Sequence, residues 1–320
     1  MARCLGERPG MDPGRELAPL SLQVVPRFRL AHGTLTRFDA SLQPQQTRPV
    51  RRSRSWKLLA ATDDLAQFVA LAGNRVVLGG EGVRHLDITH ADSAVFVGPD
   101  RVLVSAPIVE RSTWQGRTYD SRADHRVFLV DTSSAEIVDV AVLDVCDAGV
   151  TALPHPKDGS VLLDAGEGQD GSHVFVARCS DDRIAVTLVF ENTVAAAFSP
   201  SGARLLLTPH PSYEGEARVV EWPTLRQVGA LTADAVELPD DRLDLYGCFL
   251  RDDAVLLKTY ERGIVLTDGH LVPRARVQLG DDANLDYELE SLCGLGPDVF
   301  ATVRWRDRAG VTEVWMLAAN

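Results

Sequence analysis

Apolar residues in this chain come in short runs of roughly four to eight, bounded by Gly, Pro, Asn, Asp or Ser, which is the pattern of β-strands. The clearest example is VAAAFSPSGARLLLTPH, residues 194–210, in which Val194 to Phe198 runs into Ser-Pro-Ser-Gly and then Leu205 to Leu207. Similar turns recur: Gly73-Asn74 before RVVLGG, Pro99-Asp100 before RVLVS, Lys157-Asp158-Gly159 before SVLLD, Asp252-Asp253 before AVLLKT and Pro297-Asp298 before VFATV. A third strand follows in each unit (VRHLDI, RVFLVD, HVFVAR, RVVEW, GIVLTD, EVWML), and most units add a fourth, such as EIVDVAVL or IAVTLVF. Long amphipathic stretches at helical spacing are missing, which argues against an α/β enzyme fold.

The turns from residue 74 to residue 298 are spaced about 45 residues apart. A period of roughly 40–45 residues with four short strands per unit predicts an all-β fold, a β-propeller of four-stranded antiparallel blades. Six blades follow from the repeats, and residues 27–60 hold strand enough for an irregular seventh; the expectation is seven, with six as the alternative. The last unit stops one strand short, and an unpaired outer edge is a liability. LSLQVV (residues 20–25) is the apolar segment expected to supply that strand and close the ring, with residues 1–19 a flexible tail and 20–320 a single propeller domain. The unit with Phe198-Ser199-Pro200-Ser201-Gly202 and Glu221-Trp222 resembles a WD-repeat blade. It lacks the Gly-His before the first strand and the Trp-Asp after the third, so the resemblance implies a WD-repeat-like propeller of unspecified subfamily.

Bulk composition, 45% hydrophobic and 24% charged, is that of a soluble globular protein. No stretch approaches the roughly 20 apolar residues that span a bilayer, and the N-terminus carries charges and prolines where a signal peptide has its apolar core. The expectation is a cytoplasmic protein; thirty arginines against three lysines point to a GC-rich, bacterial genome. Five scattered cysteines without a Cys-x-x-Cys fit free thiols better than a disulfide frame or a zinc site. The first 57 residues hold eleven basic and four acidic side chains, yet the chain as a whole carries −12. So acidic a body repels nucleic acid and anionic membrane, and neither is an expected partner. The basic run Arg48 to Lys57 reads as a solvated loop against that body.

Several motifs are weaker than they look. Gly166 to Gly171 satisfies G-x-G-x-x-G, but a strand follows it where a dinucleotide fold needs a helix, so its glycines serve a hairpin turn. Asp282, Asn284 and Asp286 start like a calcium loop, but Tyr287 and Cys293 stand where its glycine and closing glutamate belong. The eight histidines form no metal-binding spacing, no G-x-S-x-G elbow is present, and a Ser-His-Asp triad would have to be assembled across blades. No cofactor is expected.

The connections between second and third strands are long and chemically varied, and in a four-stranded meander they emerge on one face. One of them is the loop expected at residues 106–125, and together they collect Arg111, Trp114, Arg117, Tyr119, His210, Tyr213, Tyr260, Arg262, Trp305 and Arg306. Blade-to-blade loops on that face are acidic, with Asp144, Asp147, Asp234, Glu237, Asp240, Asp241, Asp281, Asp282 and Asp286. Exposed aromatic and arginine side chains are the types that anchor protein interfaces. The reading is therefore an interaction scaffold, non-catalytic, that binds a protein or peptide through these residues. An enzyme, or a small-molecule or metal site, in a central funnel is the alternative; a subunit of a larger assembly tethered by the basic N-terminal segment is a third reading.

Overall fold

The structure, a computed structural model, describes residues 2–9, 28–39, 41–51, 55–213, 215–236, 242–260, 263–279, 289–306 and 309–317. These form 27 strands, numbered from β1 (Ala2–Pro9), and one 3-10 turn at Asp234–Val236. Phe28–Ala31 (β2), Thr34–Phe38 (β3) and Pro44–Pro49 (β4) make a three-stranded sheet. Three four-stranded meanders follow. The first is Trp56–Ala61 (β5), Phe68–Ala72 (β6), Arg75–Gly79 (β7) and Val83–Thr89 (β8); the second is Ser93–Gly98 (β9), Arg101–Trp114 (β10), Arg117–Asp131 (β11) and Ile137–Leu143 (β12). The third is Gly149–Pro154 (β13), Val161–Gly166 (β14), Ser172–Ser180 (β15) and Arg183–Glu191 (β16).

Two more meanders are Thr193–Phe198 (β17), Arg204–Pro209 (β18), Ala217–Glu221 (β19) and Gln227–Leu231 (β20), then Leu243–Arg251 (β21), Ala254–Thr259 (β22), Gly263–Asp268 (β23) and Pro273–Val277 (β24). The last sheet has Leu289–Gly296 (β25), Val299–Arg306 (β26) and Ala309–Leu317 (β27), with β1 on its outer edge. These seven antiparallel sheets are the blades of a seven-bladed β-propeller. The chain resolves into two compact units: one comprises Phe28–Arg37 and Gln46–Glu191, and the other holds the remaining described residues, chiefly those after Asn192.

Within each unit the apolar faces of successive sheets bury one another. In the first, Val69, Val76, Leu78 and Ile88 pack against Val102, Val104 and Val130, and Leu103, Val127 and Leu129 pack against Val150, Leu163 and Phe175. In the second, Leu206 and Val219 meet Val255 and Leu257, while Leu256 and Ile264 meet Leu292, Phe300 and Trp315. Each such side chain contributes about 1.5–3 kcal/mol when fully buried. Fourth strands are more exposed, and β16 alternates between exposed and half-buried positions along most of its length, because an outer strand has a neighbour on one side only.

The Phe198 to Gly202 turn shows how the repeat is built. The Ser199 N–H donates to the Arg204 carbonyl at 2.9 Å, Gly202 sits at φ 77°, and the Phe198 ring meets Trp222 edge-on at 5.2 Å. Phe and Trp of the WD-like signature thus pack on each other beside the hairpin turn.

Three expectations need correction. Gly73-Asn74 joins β6 to β7, so WKLLAA opens this blade as β5 and VRHLDI is its fourth strand, not its third. The stretch 106–125 is no loop: β10 and β11 continue through it to a two-residue turn. The outer strand of the last sheet is β1, paired from Ala2↔Leu317 to Pro9↔Val311, in a stretch assigned to a tail; residues 20–25 lie outside the described residues. Closure by an N-terminal strand holds, through a different segment.

Candidate functional site

The most distinctive element of the first unit is a two-stranded ribbon. β9 pairs with β10 only as far as Ser105, and β12 pairs with β11 only from His125 onward. Beyond those points β10 and β11 are each other's only strand partners among the described residues, in register from Val109↔Arg122 through Arg111↔Asp120 and Ser112↔Tyr119 to Trp114↔Arg117. Gln115 (φ 49°) and Gly116 (φ 75°) close it; two consecutive positive φ values define the turn whose twist matches a hairpin. A register shift between Pro107 and Val109 marks a bulge where the ribbon leaves its sheet.

Cross-strand partners share a face. Val109, Arg111, Thr113, Thr118, Asp120 and Arg122 therefore line one side of the ribbon, and Glu110, Ser112, Tyr119 and Ser121 line the other with Arg117. Ser112 and Ser121 hydroxyls bond each other at 2.8 Å. Arg111 and Arg117 are exposed and make no ion pair among the described residues. Tyr119 is 49% exposed.

A polar cluster anchors the root of the ribbon. One Arg122 guanidinium nitrogen donates to Asp92 Oδ2 at 2.9 Å and to the Ala148 carbonyl at 3.0 Å. The same carboxylate oxygen accepts from the Val150 N–H at 3.1 Å, and the Arg122 carbonyl accepts from the Asp147 N–H at 3.1 Å. His125, 1% exposed, places Nε2 2.7 Å from Ser105 Oγ and 3.9 Å from Asp92 Oδ2. Burial pushes the imidazole down to about 4; Asp92 counters this and Arg122 adds to it.

Serine, histidine and aspartate thus do come together across strands, but not as a hydrolytic triad. A triad sets the carboxylate on the nitrogen opposite the nucleophile. Here both partners approach Nε2, Nδ1 has no hydrogen-bond partner among the described residues, and Ser105 is buried.

In the second unit, His210, Tyr213 and Tyr260 do converge. His210 is buried; its Nδ1 accepts from the Ser212 N–H at 3.2 Å and its ring lies 5.8 Å from Tyr213, so it shapes the β18–β19 connection from within. Tyr213 and Tyr260 are 41% and 53% exposed. Between them comes Arg242, which the sequence reading missed: its guanidinium lies 4.2 Å from the Tyr260 ring centroid and donates to the Pro211 carbonyl at 3.1 Å. The β21–β24 sheet holds a buried Lys258–Asp244 ion pair, whose Lys258 Nζ lies 5.8 Å from the Tyr246 ring centroid. Arg242 and Asp244 stand at the start of β21 in an acidic-looking stretch, with no pattern to mark them.

Trp305 and Arg306 end β26, paired with Gly310 and Ala309. Arg262 lies outside the described residues, as do Glu237, Asp240, Asp241, Asp281, Asp282 and Asp286; Asp144, Asp147 and Asp234 are exposed. Gly166 to Gly171 forms the β14–β15 hairpin turn, with Glu167 N–H donating to the Gly171 carbonyl at 2.9 Å. Arg48, from the basic run, donates to the Leu65 and Ala66 carbonyls at 2.6 Å, the role of a loop clamp. None of the five cysteines is in a disulfide, and among the described residues no group of three or more His, Cys, Asp or Glu could hold a metal ion.

No protein-family model and no curated protein matches the chain. Solved structures do. The C-terminal WD40 domain of Sif2 is similar at 9% identity and a TM-score of 0.55, over 90% of this chain and 77% of that domain. BamB from Moraxella catarrhalis aligns at 11% identity and a TM-score of 0.48, over 99% of this chain and 100% of its own. The acylaminoacyl peptidase of Pyrococcus horikoshii aligns at 10% and 0.48, over 86% of this chain and 47% of the peptidase. Likeness at such identity concerns the backbone path alone, and on that ground the chain has the fold of the WD-repeat propellers.

Proposed function

We propose that this protein is a non-catalytic, protein- or peptide-binding propeller whose principal contact element is the β10–β11 ribbon. One observation carries the reading: residues 106–114 of β10 and 117–124 of β11 run past their sheet as a hairpin that presents Arg111, Arg117 and Tyr119 to solvent. A lone two-stranded ribbon is marginally stable in water. This one is held at its root by the Asp92–Arg122 cluster, and its tip bears the residue types of interface hot spots. The exposed Tyr213–Arg242–Tyr260 group is a second surface of similar chemistry.

The test is Arg117→Ala combined with Tyr119→Ala. Both side chains are exposed, so thermal unfolding should be unchanged, while proteins recovered on the immobilised wild-type chain should be lost. Undiminished recovery on the double variant would remove the ribbon as the contact element.

A further inference from the structure

A two-residue turn of this kind closes on a pair that exchanges both backbone hydrogen bonds, here Trp114 and Arg117. Antiparallel pairs alternate between bonded and non-bonded. Ser112–Tyr119 and Glu110–Ser121 are therefore bonded pairs, whereas Thr113–Thr118, Arg111–Asp120 and Val109–Arg122 aim their N–H and C=O groups outward. On the β11 side that edge is partly occupied, since the Arg122 carbonyl accepts from Asp147. On the β10 side, Val109, Arg111 and Thr113 are outward-facing, and no backbone bond reaches them among the described residues. Six polar groups in register form the template onto which an extended segment adds as a strand.

Charge selects the occupant. Residues directly opposite one another lie on the same face, so a second copy pairing through the same edge sets odd positions against odd and even against even. Arg111 would then oppose Arg111, Val109 or Thr113, and Glu110 would oppose Glu110, Ser112 or Trp114. Self-pairing either opposes like charges or sets neither charge against an opposite one across the new edge, and like charges directly opposite are destabilising. A different segment with a carboxylate opposite Arg111 and a cation opposite Glu110 compensates both. We infer that the β10 edge of the ribbon binds an extended partner segment by antiparallel strand addition, reading an adjacent acidic–basic residue pair; the inference rests on the ribbon being the contact element.

The test uses two labelled heptapeptides and the full chain. One reads Thr-Val-Thr-Glu-Lys-Val-Thr, which sets its Glu opposite Arg111 and its Lys opposite Glu110; the other exchanges Glu and Lys. Fluorescence anisotropy should show the first binding about tenfold more tightly, since the exchange turns two attractive cross-strand pairs into repulsive ones. The double variant Arg111→Glu with Glu110→Arg should reverse that preference. Thr113→Pro removes an outward N–H that no bond within the ribbon uses, and should abolish binding of the matched peptide. Equal binding of the two peptides, or binding of neither, overturns the inference. If Thr113→Pro retains the proteins that Arg117→Ala/Tyr119→Ala loses, the ribbon is a contact element without strand addition; if the latter variant loses nothing, the reading beneath the inference fails instead.

Discussion

His125 gives the sharpest quantitative test of the ribbon's anchorage. Its ring is 1% exposed, held by Ser105 at 2.7 Å, with Asp92 3.9 Å away. Burial disfavours the imidazolium enough to lower the pKa from 6.5 to about 4; the Asp92 carboxylate offsets this only in part, and the Arg122 guanidinium adds to it. The folded state holds this histidine neutral, so its contribution is complete above pH 6.5. As the pH falls, the unfolded chain takes up the proton first and stability is lost, until the folded form also titrates near pH 4. At about 1.4 kcal/mol per tenfold change in proton affinity, the loss attributable to this group approaches about 3 kcal/mol.

His125→Gln keeps a partner for Ser105 and cannot titrate. Urea unfolding of both proteins, followed by tryptophan fluorescence between about pH 7.5 and about pH 4, isolates the term from the carboxylates that both share. The wild type should lose about 3 kcal/mol more than the variant across that window, with the difference constant above about pH 7. Parallel pH profiles would mean that the histidine is not held neutral and that the root of the ribbon is looser than described.

Other perturbations separate the remaining elements. Lys258→Met leaves the buried Asp244 carboxylate without its cation and should cost about 3–5 kcal/mol, while the double variant Lys258→Met/Asp244→Leu should recover most of this in thermal unfolding. Gly229→Ala places a Cβ 2.3 Å from the backbone carbonyl oxygen of His270, which cannot swing aside; a loss of about 1–3 kcal/mol in denaturant unfolding is expected. Gly116→Val puts a β-branched residue at φ 75°, a cost of about 1–2 kcal/mol confined to the ribbon. Amide exchange at Ser112, Arg117 and Tyr119, whose N–H groups bond across the ribbon, should then quicken about tenfold while the melting temperature stays fixed.

What could be read from the sequence follows from what buries a strand. The meanders from β13 to β24 carry Leu, Val, Ile and Phe on strands packed from both sides, and turn residues punctuate them, so their period survives in the text of the chain. The ribbon is paired without a break from Val109 to its turn, yet Glu110, Arg111, Ser112 and Thr113 show no apolar alternation, because neither face of that stretch meets a core among the described residues. Hydrophobic patterning reports burial and identifies strands only through it. That is why residues 106–125 read as a long loop, and why their contact chemistry could be listed while their register could not. Asp92 and Arg122 carry no signal in the sequence, and His125 stands out there only as one of eight histidines, for a related reason: the three meet through strand pairing across some thirty residues, which no local spacing encodes.

The outer strand of the last sheet extends the same argument to closure. LSLQVV is the more apolar candidate, but an outer position does not ask for apolar residues: β12, β16 and β24 all alternate or lie exposed. What it asks for is backbone complementarity to β27, and Ala2–Pro9 supplies it with a single register shift between Cys4 and Gly6. Ala2 also inserts among Leu250, Leu279 and Leu289, and its N–H donates to the Gln278 carbonyl at 3.1 Å. Deleting residues 2–9 should therefore strip the pairing from β27 and expose its edge, with a lower melting temperature and concentration-dependent association in light scattering. An unaltered melting temperature and a monodisperse truncated chain would show that β1 lies on the sheet without stabilising it. The segment that closes this propeller was hidden by its polarity, the property that suits it to an edge.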